Sequence, residues 1–157
     1  FALAYSGSYM DEFINFVIDE WLLFLIFAIV FGLLMRSLFA AKLSGAKPVN
    51  VQEMLRMTNS EDDAAVILDV RTEGEFKEGH VSNSIHVPVG ALGSRIKELE
   101  KFRSRSIIIN CQTGARALAA AQVLKKQGFT DLFFLNGGMN SWVNANLPVE
   151  KGLKKKK

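Results

Sequence analysis

The feature that most limits what this chain can fold into is the run from Trp21 to Ala41, WLLFLIFAIVFGLLMRSLFAA, whose one charged residue is Arg36. As a helix rising about 1.5 Å per residue it would extend roughly 30 Å, the thickness of a bilayer's hydrocarbon core. A core helix of a soluble domain shows a polar face every turn, and none occurs here before Arg36. The sequence therefore predicts one transmembrane helix over residues 21–41, with Arg36 near enough to its end to snorkel to the headgroups.

Orientation follows from the flanks. Residues 1–20 carry Asp11, Glu12, Asp19 and Glu20 but neither Lys nor Arg, whereas Arg36, Lys42, Lys47 and Arg56 lie at or beyond the far end. This asymmetry predicts a single pass through the cell inner membrane, with everything after it in the cytoplasm. A cleaved signal peptide, with SGA at 44–46 as its cleavage site, is the competing reading. The acidic front end opposes it, because signal peptides begin with a positive region. Within the N-terminal flank, 1–20, the chain opens on Phe1. Residues 1–9 read either as native or as an addition ahead of a natural start at Met10, and the sequence leaves both open.

At 157 residues there is room for one domain of ordinary size plus an appendage. Seven of the 12 Phe precede residue 40, so the 49% apolar content is concentrated in the predicted anchor. The net charge of +3 also has a local origin, since Lys151 and Lys154 to Lys157 alone contribute five positive charges. The basic tail 151–157 reads as a solvated extension that can touch anionic lipid, and the remainder offers no basic face for nucleic acid. One Cys rules out an intramolecular disulfide, and with only His80 and His86 as imidazoles a metal site is not expected.

After a linker over 42–48, the segment 49–150 alternates apolar runs with helical patterns. Helices are predicted over 49–57, 73–79, 92–102, 115–128 (closed by Gly128) and 138–145, and strands over 64–70, 84–89, 106–111 and 131–135. Alternation of this kind implies an α/β fold with a central, mainly parallel sheet covered on both faces.

Cys111 ends the apolar run SIIINC, and the helix predicted from residue 115 begins four positions later. In parallel α/β folds, ligands bind outside the carboxyl ends of the strands. Unpaired backbone N–H groups and the positive end of the helix dipole would converge on a sulfur placed there and favour its anion. Gly114 permits tight curvature, and Arg116 adds a permanent cation with a planar fork for an anionic ligand. A lone Cys at a strand end is also compatible with a buried structural thiol.

CQTGAR, residues 111–116, resembles the active-site loop of the rhodanese-like sulfurtransferases. LDVRTEGEFKEGHVSNSIHVP resembles that family's N-terminal signature, and LNGGMNSWVNANLPV its closing Gly-Gly, Trp and Leu-Pro pattern. The likeness covers about residues 48–150 and implies a three-layer rhodanese-like domain. It further implies that Cys111 is the catalytic nucleophile that carries a sulfane sulfur as a persulfide, with Gln112, Thr113, Gly114, Ala115 and Arg116 binding the substrate. No cofactor and no metal are implied. Asp69 and Arg71 are read as structural residues near the site, His80 and His86 as packing or hydrogen-bonding residues, and Trp142 as the anchor of the last helix.

Ser82, Asn83, Ser84 and His86 stand where the family more often has Pro, Gly, Ala and Asn, which bears on partner or substrate preference. Four residues separate Cys111 from Arg116, one fewer than in related phosphatases, so the cradle suits a sulfur atom better than a phosphate. The resemblance thus implies a membrane-anchored sulfurtransferase moving sulfur from a small donor such as thiosulfate to a thiol or cyanide. Its partners would be that donor, an acceptor thiol, and the lipid bilayer through residues 21–41. The alternative is a membrane-tethered docking module of the same fold, with little catalytic role, whose partner is another membrane or secretory protein.

Overall fold

The computed structural model describes residues 10–12, 15–16, 19–61 and 63–152, with no side chains described at 36–43. Residues 1–9, and with them the question of a start at Met10, lie outside the described residues, as do the tail lysines from 154 onward. The chain divides into two compact units, Phe1–Phe39 and Ala40–Lys157.

The first unit contains most of helix α1, Trp21–Ser44. Large apolar side chains on every side of it are exposed, from Trp21 and Leu22 through Phe27 to Leu33 and Leu34. Phe27 and Phe31 stack along it, with ring centroids 5.9 Å apart. Among the described residues, however, no helix is long and apolar enough to cross a membrane. The transmembrane expectation for 21–41 is therefore not met among the described residues, and Arg36 falls where side chains are not described.

The second unit is a five-stranded parallel sheet in the order β1-β5-β4-β2-β3. Its strands are β1 (Lys47–Val49), β2 (Val66–Asp69), β3 (Ile85–His86), β4 (Ile107–Asn110) and β5 (Leu132–Leu135). Every residue of β2 and β4 is buried, which is why both read as unbroken apolar runs rather than alternating ones. Side chains of β4 still alternate in direction. Ile107 and Ile109 pack with Leu68, Leu92, Leu99 and the alanine face of α4 (Ala115–Lys126), while Ile108 packs on the other side with Met54, Met139 and Trp142. Two cores on opposite faces of one sheet make the three layers.

Local chemistry sets the helix starts. Asn50 and Glu53 close a reciprocal cap on α2 (Val51–Thr58), and Thr72 and Glu75 do the same on α3 (Glu73–Glu78). The last helix, α5, spans Gly138–Asn144, and Trp142 fixes it by burying its ring and donating Nε1–H to Pro148 O at 3.0 Å.

Three expectations are corrected. The linker over 42–48 instead holds the end of α1, the buried Ser44 and Ala46, and the edge strand β1, which pairs with β5. A three-residue strand containing Pro48 carries too little pattern to be read as one, and prolines are tolerated at sheet edges. Over 92–102 the chain forms a 3₁₀ segment, Ile96–Phe102, after a shorter one at Val89–Ala91. The ion pairs Arg95–Glu98 and Glu100–Arg103 are spaced i,i+3, which matches three residues per turn. The strand predicted over 84–89 contracts to Ile85–His86, although Val87 N and Val89 N still donate to Asp69 O and Val70 O on either side of Pro88.

Candidate active site

From β2 the chain goes on to β3 at one edge of the sheet, while β4 leads to β5 on the other side. The carboxyl ends of β2 and β4 are thus where the strand order reverses, the place at which open α/β sheets form a crevice. Asp69 ends β2, Asn110 ends β4, and the two are paired in register, so the loops after them leave the sheet side by side.

Cys111 follows Asn110 directly and is 1% exposed. The loop then turns so that the Gly114 amide donates to Cys111 Sγ at 3.0 Å. This requires Gly114 to adopt φ +105°, a left-handed conformation that suits a residue without Cβ, and it places Gly114 as the N-cap of α4. As the residue that caps α4, Gly114 sets the sulfur next to the positive end of that helix's dipole.

A second segment holds the loop from behind. Met139 N donates to Cys111 O at 2.7 Å and Asn140 N to Gln112 O at 3.2 Å, while Gln112 Nε2 donates to Asn140 Oδ1 at 2.7 Å. Gly138 lets the two backbones meet: a Cβ there would overlap Cys111 O and come within 2.8 Å of the Gln112 carbonyl group.

Asp69 and Arg71 form a buried two-pronged pair, with Arg71 Nε and Nη2 donating to Asp69 at 3.0 and 2.8 Å. Arg71 also donates to Gly79 O at 2.7 Å and reaches Gln112 Oε1 at 3.4 Å, which links the β2 loop to the cysteine loop. Asn110 Nδ2 adds a 3.3 Å bond to Asp69. His80 and His86 both stack against Phe76, at centroid distances of 3.7 and 4.3 Å. Their ring nitrogens contact Phe76 O and Arg71 O, at 2.9 Å each, and neither imidazole contacts Cys111 among these bonds.

Arg116 lies on the first turn of α4, but its fork closes on Glu75 of α3, with Nη1 and Nη2 donating to the two carboxylate oxygens at 2.8 and 2.5 Å. The bonds from Arg116 hold the Glu75 carboxyl far below the usual carboxylate range, with the Thr72 bonds adding to the effect. Arg116 is raised in turn, first by Glu75 and to a smaller degree by the nearby Cys111 sulfur. Thr113 and Ala115 contribute backbone at the exposed rim of the loop.

The structure therefore brings Cys111, Gln112, Gly114, Arg116 and the Asp69–Arg71 pair together. Sequence reasoning missed Glu75 and Asn140 as their partners. Glu75 stood in the sequence as the Glu before Phe76 in the LDVRTEGEF signature, and nothing there pointed it at Arg116. Among the described residues, no cluster of His, Cys, Asp and Glu is arranged to hold a metal ion.

Residues 50–145 match the family of the rhodanese-like domain. The chain belongs to that family. The rhodanese-like domain fills most of the second unit and contains every loop residue described above. Over 144 residues the chain is 29% identical to the uncharacterized protein YibN of Escherichia coli (strain K12), covering 91% of this chain and 99% of that one. That alignment is longer than the 40–157 unit, so the likeness extends into the unit that holds most of α1. The chain is also 29% identical over 104 residues to the thiosulfate sulfurtransferase GlpE of Shewanella oneidensis, covering 66% of this chain and 99% of GlpE. Among solved structures, a rhodanese-related protein from Thermoplasma volcanium matches with a TM-score of 0.56 at 28% identity, over 66% of this chain and 97% of that chain.

Proposed function

We propose that this protein is a sulfurtransferase that accepts a sulfane sulfur on Cys111 from a donor such as thiosulfate and passes it to a thiol or to cyanide. The observation that carries this reading is the Gly114 amide aimed at Cys111 Sγ, 3.0 Å away, at the switch point of the sheet. In the first step the Cys111 thiolate attacks the outer sulfur of thiosulfate. The Sγ–S bond forms, the donor's S–S bond breaks, and sulfite leaves with the bonding pair. Backbone amides between Gln112 and Arg116 hold the anionic outer sulfur of the persulfide, in the manner of an oxyanion hole. In the second step an acceptor thiolate attacks that sulfur and Cys111 leaves as thiolate. Cys111 is the only cysteine, so the acceptor comes from outside this chain.

The test is thiosulfate-dependent sulfur transfer to cyanide by the unaltered protein and by Cys111→Ser. Transfer by the unaltered protein, with loss in the variant at unchanged circular dichroism, supports the reading. Retained transfer in the variant would refute it.

We further propose that α1 attaches the domain to the inner membrane, with the rhodanese-like unit in the cytoplasm. Supporting this are the apolar side chains exposed on every side of α1, a surface far more continuous than a soluble monomer leaves in water, and the acidic flank before Trp21. The docking-module alternative gains nothing from the loop, where the thiol and its amide donor are both in place.

A further inference from the structure

Both arginines beside the cysteine loop are already engaged by carboxylates. Arg71 is buried against Asp69, and Arg116 closes on both oxygens of Glu75. The charges of these four groups cancel in pairs. An anionic donor arriving at Cys111 thus meets no unpaired cation among them, while the sulfur anion itself repels it.

Glu75 is held ready for this pairing before any ligand arrives. Its Oε2 accepts from Thr72 N at 2.9 Å and from Thr72 Oγ1 at 2.6 Å, which fixes the carboxylate at the start of α3. Arg116 and Glu75 remain 35% and 29% exposed, so a ligand can reach the pair, but capturing Arg116 means breaking two charge-assisted bonds.

We propose that Glu75 is a positioning residue that, by holding Arg116, tunes the site toward singly charged organic persulfides and against the dianion thiosulfate. This rests on the reading of Cys111 as a sulfur acceptor. With an organic persulfide, RS–S⁻, the Cys111 thiolate attacks the outer sulfur and the new Sγ–S bond forms as the donor's S–S bond breaks. RS⁻ leaves with the bonding pair and takes a proton from water. Reactants and products carry the same charge before that protonation, and no oxidant or reductant is consumed. The leaving thiolate carries one charge where sulfite carries two, so it depends less on a free cation.

The experiment compares thiosulfate with cysteine persulfide, whose carboxylate, ammonium and persulfide sum to a single negative charge, as donors to the protein in detergent, for the unaltered chain, Glu75→Gln and Thr72→Ala. Gln keeps the cap geometry but releases Arg116, whereas Thr72→Ala disturbs the cap and keeps the ion pair. In Glu75→Gln the KM for thiosulfate should fall on the order of tenfold, with kcat within about twofold and the persulfide KM unchanged. Thr72→Ala should leave the ratio of the two donors as it is. An unchanged thiosulfate KM in Glu75→Gln, an equal shift for both donors, or the same shift in Thr72→Ala would overturn the proposal while leaving Cys111 chemistry standing. If the unaltered protein loads Cys111 from neither donor, the sulfur-transfer reading falls and this inference falls with it.

Discussion

Arg116 and Glu75 are 41 positions apart in the chain and share two hydrogen bonds, of 2.8 and 2.5 Å, that tie the first turn of α4 to the first turn of α3. The cation expected to face a ligand is thereby turned toward a carboxylate. Removing it should act twice, by deleting a positive charge and by leaving Glu75 unpaired. Arg116→Ala should raise the KM for thiosulfate by an amount equivalent to about 1.5 to 3 kcal/mol, with a smaller effect on a singly charged persulfide. Equal losses for the two donors would mean that Arg116 serves the fold rather than the ligand.

The same pair predicts a pH signature. The folded-state value of Glu75 lies below its ordinary 4.5, with the Arg116 bond as the first cause. Stability from this group is therefore fully present above the ordinary value and is lost as the pH falls toward the depressed one. Glu75→Gln removes that dependence. Unfolding free energies from urea titrations between about pH 5 and about pH 3 should drop less steeply in the variant, by at most about 1 kcal/mol because solvent screens a half-buried pair. Parallel curves would contradict the assignment.

Gly138 tests how the cysteine loop is held. A Cβ there would overlap Cys111 O, and the residue sits at φ +59°. Gly138→Ala should destabilise the domain by about 1 to 3 kcal/mol and lower sulfur transfer further than the loss of folded protein explains. Thermal melts alongside transfer per folded molecule separate the two effects. An unchanged melting temperature would show that α5 does not brace the loop.

The membrane proposal predicts that the protein stays in the pellet when membranes are extracted with alkaline carbonate, and that protease added to spheroplasts leaves the 47–152 region intact. Release into the supernatant would remove the anchor. Digestion before lysis would reverse the orientation.

Much of the fold was legible because buried parallel strands leave an unmistakable apolar signal. VILD and IIIN are buried at every position and were read as strands on that ground. Lys47–Val49 was not legible, since a short edge strand has one covered side and its Pro48 reads as a turn. The 3₁₀ segment at Ile96–Phe102 was misread because apolar spacings of three and four look alike over seven residues.

At the site, residues 111–116 were visible as a contiguous motif, and Asp69 and Arg71 as a strand end. The partners were not. Glu75 and Asn140 reach the loop only because parallel crossovers bring the starts of α3 and α5 to the same edge of the sheet, 41 and 28 positions away from Arg116 and Gln112. Sequence spacing carries no trace of such pairings.

The central claim is that Cys111 holds the sulfur in transit. The most direct measurement is the intact mass of the purified protein after incubation with thiosulfate or an organic persulfide, followed by peptide mapping. The account predicts an added mass of one sulfur atom, located on the peptide that contains Cys111, absent in Cys111→Ser and removed by a thiol reductant. No added sulfur with either donor, or sulfur that persists in the Cys111→Ser protein, would contradict it.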